Sequence, residues 1–152
     1  AQWVTTEALD APDLLPTLQA VNTDAQAPVR LHVVEAGVVQ TVMRSLENFQ
    51  RRDPKMAQVV LWFVGTHQLG VEEVALTTTD PPARAIAYGQ WSTWSDQVPS
   101  TDGSGLAFLA NVNPEELQGR RPSLEYTQGK LSHRVAFAVQ AGAITLLEVQ
   151  VE

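Results

Sequence analysis

No cysteine occurs anywhere in the 152 residues. Disulfides, thiolate metal sites and a thiol nucleophile are therefore excluded. The redox compartment stays open, because a core of this size does not depend on covalent staples. Positive charge is scarce as well: ten Lys and Arg stand against 17 Asp and Glu, a formal net charge of −7. A surface of that sign repels bare phosphate and favours solubility, so no nucleic-acid partner is expected. The cations gather in two small clusters, Arg51-Arg52 and Arg120-Arg121, which read as solvated surface. No apolar run approaches the roughly 18 residues of a membrane span. The longest covers residues 59–64 and has the length of a strand.

The chemical signatures of common enzymes are missing too. There is no GxSxG elbow, no Walker loop, no GxGxxG and neither HxH nor HExxH, so no cofactor and no metal is expected. The three histidines, His32, His67 and His133, fall on three separate segments. Glu72-Glu73 and Glu115-Glu116 are adjacent couples that point different ways. Asp96 and Asp102 share a polar loop with Ser95, Ser100, Thr101 and Ser104. Those oxygens suit calcium in kind, but the ligand order of an EF-hand is lacking.

What is present is an ordinary globular composition, read as one domain over residues 1–152. Residues 1–28 form an approach segment or short helix, with Leu14, Leu15, Leu18 and Val21 on one apolar face. Val29, Leu31 and Val33 alternate with Arg30 and His32, the period of a half-buried strand. Val38, Val42, Leu46 and Phe49 recur at helical spacing beside Val39 and Met43. The spacing predicts an amphipathic helix over about 38–52, ended before Pro54. Strands are expected over 58–64, 71–79, 83–90 and 106–112. A helical turn capped by Asn113 follows at 114–117. Val135, Phe137 and Val139, then Ala141-Gly142-Ala143, then Leu147, Val149 and Val151 read as a closing hairpin. The fold class is α+β: one main helix packed on a mostly antiparallel sheet or sandwich of six to eight strands.

The most distinctive segment is Tyr88-Gly89-Gln90-Trp91-Ser92-Thr93-Trp94-Ser95-Asp96, which holds two of the four tryptophans. Flat aromatic faces beside polar groups suit recognition, so Tyr88, Gln90, Trp91, Trp94 and Asp96 are the candidate binding residues. Trp91 and Trp94 face opposite ways on a straight strand, so burying both requires a bend. The expected function is non-catalytic binding or assembly through an aromatic–polar surface around residues 88–105. A protein partner, or self-association into an oligomer through the apolar last strand, ranks ahead of a small molecule. The alternative is a small acid–base enzyme with a pocket between helix and sheet, using His32 or His133 with Asp96 or Glu125. Ser132 or Ser92 beside His133 is a further, weaker option, and no catalytic residue is assigned. Pro16-Thr17-Leu18-Gln19-Ala20-Val21-Asn22-Thr23 is faintly similar to a segment, Pro-Ala-Leu-x-Ala-x-Glu-Thr-Gly, of some picornavirus-like capsid subunits. The likeness spans eight residues, lacks the Glu and the Gly, and assigns no family.

Overall fold

A computed structural model describes residues 2–8, 10–21, 28–48 and 50–151. Strands dominate, where Val, Ile, Thr and aromatic residues cluster. In chain order they are β1 (Gln2–Thr6), β2 (Leu14–Leu15), β3 (Thr17–Val21), β4 (Val34–Glu35), β5 (Ala57–Val64), β6 (Val74–Asp80), β7 (Ala85–Gln90), β8 (Thr93–Ser95), β9 (Leu106–Val112), β10 (Ser123–Gln128), β11 (Leu131–Ala136) and β12 (Ile144–Gln150). The α-helix α1 spans Ala36–Arg44, and a 3-10 turn at Pro114–Leu117 is capped by the Asn113 side chain, as its sequence predicts.

Seven strands form the main sheet in the order β1-β3-β12-β5-β9-β7-β8, and β11-β10-β6 make a second, smaller sheet. Alternation along the central strands builds two cores. Val59, Leu61 and Phe63 of β5, with Leu109 and Val149, meet Val74, Leu124 and Tyr126 of the small sheet. Phe108, Ala110, Ala87 and Ile144 point the other way and meet Val39, Met43 and Leu46 of the helical segment and Leu15 of β2. Among the described residues no helix is long and apolar enough to cross a membrane.

Four expectations need correction. The helix has nine residues, not the fifteen or so of 38–52. Its extension is taken over by distant polar groups. Ser45 Oγ donates to the Val42 carbonyl, Asp96 accepts from the N–H groups of Glu47 and Asn48, and Asn111 binds Arg51 O and Asp53 N–H. The buried stripe is Val39, Met43 and Leu46, while Val38 is exposed. Phe49 lies outside the described residues.

Second, the main sheet is mixed, because β12 runs parallel to both β3 and β5. A parallel neighbour cannot be reached by a tight turn, so the closing hairpin does not form. β11 pairs instead with β10 across Gly129-Lys130, and only the turn at Gly142 remains of the expected hairpin. Third, β1 and β3 put much of the first 28 residues inside the main sheet, as strands rather than an approach segment or helix. Fourth, residues 29–33 join no ladder, and Val29, Leu31 and Val33 stay exposed. The Gln19 side chain holds this segment, donating to Arg30 O and accepting from His32 N–H.

Candidate functional site: the β7–β8 hairpin

Strand β7 leaves the sheet at Gln90 and β8 returns at Thr93, so the Gln90–Thr93 pair encloses a turn of only two residues, Trp91 and Ser92. A turn this tight needs positive φ, which glycine or asparagine normally supplies. Here Trp91 supplies it, at φ 52°. A bulky side chain in that region is strained, by about 1–2 kcal/mol. Its indole recovers nothing from packing, since Trp91 is 96% exposed.

The Asp102 carboxylate holds the turn in place. One oxygen accepts from the Trp91 N–H at 2.8 Å, and the other accepts from the N–H and the hydroxyl of Ser104. The Ser104 hydroxyl, together with these backbone donors, outweighs partial desolvation and holds the Asp102 carboxyl below the usual carboxylate range. Gly89 completes the fit. A Cβ at that position would stand 2.9 Å from Ser104 Oγ and 3.0 Å from Leu106 Cβ.

The five expected site residues divide by role. Tyr88 is buried, and its hydroxyl accepts from the Leu76 N–H of β6, tying hairpin to small sheet. Burial raises its pKa, against the opposing pull of that hydrogen bond. Asp96 is occupied by Glu47 and Asn48 at 2.9 Å each. Desolvation pushes its carboxyl up, but those two N–H groups and the Gln97 side chain prevail and hold it low. Gln90 is half-buried and donates to the adjacent Gly89 carbonyl. Trp94 is half-buried, edge-on to Phe108 with ring centroids 6.0 Å apart. Only Trp91 presents its whole side chain outward. The chain does bend between the two tryptophans, and the bend half-buries Trp94 and leaves Trp91 exposed.

Beside the hairpin runs a groove of about 580 Å³, with Glu35, Val38, Thr41 and Val42 on the helix side and Ser92 and Trp94 on the other. Val38 is 53% exposed there. Glu35 is the N-cap residue of α1, yet its side chain makes no capping hydrogen bond.

Sequence reasoning offered a pocket between helix and sheet as an alternative but missed the lining of this groove and the part played by Asp102. The Asp102-Gly103-Ser104 turn was legible as an Asx-type turn. Nothing in the sequence marked Trp91 as a left-handed residue.

The remaining candidates do not converge. The interface of α1 with the sheet is filled by Val39, Met43, Leu46, Ala87 and Phe108, and the open space lies beside it. His133 stacks on Tyr126 across the β10–β11 ladder, with ring centroids 5.2 Å apart, whereas Glu125 faces Arg134 at the next register position. Alternation therefore directs His133 and Glu125 to opposite sides of that sheet. His32 lies on the extended segment over the other face of the main sheet, and His67 sits in the turn after β5. Among the described residues no three His, Asp or Glu side chains gather as a metal site. No protein-family model, curated protein or solved structure matches the chain.

Proposed function

We propose that this chain is a non-catalytic binding or assembly domain that engages a protein through the tip of the β7–β8 hairpin. The observation that carries the reading is Trp91: a large aromatic ring almost wholly in solvent, on a backbone conformation that disfavours it, fixed by a dedicated carboxylate. Strain kept at a surface position that contributes nothing to packing is a mark of function. A rigid exposed tryptophan is also the side chain most often found at the centre of a binding hot spot.

Tyr88 and Asp96 support this surface from behind, through Leu76 and through Glu47 and Asn48. Trp94 forms the wall of the neighbouring groove. Selecting a displayed random-peptide library on the immobilised protein tests the reading. Recovered peptides are expected to lose binding to Trp91→Ala while the variant keeps its circular dichroism. Peptides that bind wild type and Trp91→Ala equally would remove the hairpin tip as the contact surface.

A further inference from the structure

The charge around the hairpin narrows the kind of partner, on the premise that the hairpin tip is a binding surface. None of the ten Lys and Arg lies between Arg84 and Arg120, a stretch that contains β7, β8, the polar loop and β9. Across the groove the only charged lining residue among the described residues is Glu35. Its carboxylate makes no hydrogen bond or ion pair among the described residues. Arg44, the one cation of α1, is not on the groove wall. The groove thus offers one carboxylate and an apolar strip made by Val38, Val42 and Trp94, and its lining residue Ser92 is the chain neighbour of the exposed Trp91. Asp102 adds negative charge at the Trp91 backbone, and its hydrogen bonds keep it ionised across the neutral range.

An indole face attracts a guanidinium or ammonium group. A carboxylate pairs with the same groups, arginine giving the better geometry. We infer that the groove between α1 and the β7–β8 hairpin receives a basic amphipathic segment of a partner protein, with an Arg or Lys over Trp91, a second cation at Glu35 and an apolar side chain between them on Val38 and Val42. The occupant is a different protein rather than a second copy, because two chains of charge −7 repel one another.

The test uses two synthetic peptides, acetyl-Arg-Leu-Arg-Leu-Arg-amide and acetyl-Glu-Leu-Glu-Leu-Glu-amide, titrated into the isotopically labelled protein. The four indole N–H resonances report the result, the one from Trp91 being identified by its loss in Trp91→Phe. The arginine peptide is expected to shift that resonance. Its dissociation constant should rise about tenfold in Glu35→Gln and by a similar factor in Trp91→Ala, and it should weaken as salt is added. Three results would overturn the inference: no shift with the arginine peptide at millimolar concentration, an equal shift with the glutamate peptide, or an unchanged constant in Glu35→Gln. A Trp91-dependent dimer in sedimentation would overturn the choice of a foreign partner. Library peptides that require Trp91 but carry no positive charge would leave the binding reading standing and remove only this one.

Discussion

On one side of the seven-stranded sheet, Leu61, Phe63, Leu109 and Val149 interlock with Leu124 and Tyr126, with Phe63 and Tyr126 only 5.0 Å apart between ring centroids. On the other side, nine helical residues and an extended segment cover the strands only in part, with one groove beside the helix and another beside the extended segment. The first face is closed by another sheet, which buries Leu61, Phe63 and Leu109 and leaves Leu131 at the start of β11 exposed. The second keeps Val38 in solvent, and the hairpin at the sheet edge carries Trp91, exposed and, among the described residues, the aromatic residue at positive φ. The difference teaches where to look for function. Apolar groups on the closed face serve the interior, while those left out on the open face serve no interior.

The contrast can be broken most severely at its shared spine. Deleting residues 144–151 removes the strand that joins β3 to β5, and we expect complete loss of the folded circular dichroism spectrum. A folded product would show that the two cores do not depend on β12. Next in size is the comparison of faces. Phe63→Ala should cost about 3–5 kcal/mol in urea denaturation, as for a fully buried aromatic. Val38→Ala should stay within about 0.5 kcal/mol. Similar losses at the two sites would mean that the open face is part of the stabilising core after all.

A smaller effect is expected where the hairpin grips the end of the helix. Asp96→Ala removes the acceptor for the Glu47 and Asn48 N–H groups and should cost about 1 kcal/mol at neutral pH. The dependence on pH has a definite sign. The folded-state pKa of Asp96 lies below its unfolded value of about 3.9. Its contribution is therefore complete above the unfolded pKa and disappears as pH falls through the folded one. Wild type and Asp96→Ala should converge in acid. A gap that persists below pH of about 2 would show that the carboxylate charge is not what matters.

How much of this was legible in the sequence depended on whether a signal was local. The turn capped by Asn113 was readable from its capping residue, and β5 and β9 from apolar runs too short for a typical helix. The length of α1 was not, because Asp96 and Asn111, each more than 45 positions away, decide where the backbone stops being helical. The place of β12 was not readable either. Leu147 and Val149 alternate with Glu148 and Gln150, and this alternation fits a parallel strand covered on one face as well as one arm of a hairpin. For the site, composition pointed to residues 88–96, but whether each aromatic is a prop or a contact followed only from the two-residue turn that turns Trp91 out and lets Trp94 rest on Phe108.

A predicted gain in stability bears most directly on the central claim, that Trp91 is kept for contact and not for the fold. Trp91→Asn places at φ 52° a residue that tolerates this conformation and leaves the N–H bonded to Asp102. In urea denaturation the variant should be more stable than wild type by roughly 0.5–1 kcal/mol. A variant that is instead less stable by 1 kcal/mol or more would show that the ring supports the structure, and would contradict the account.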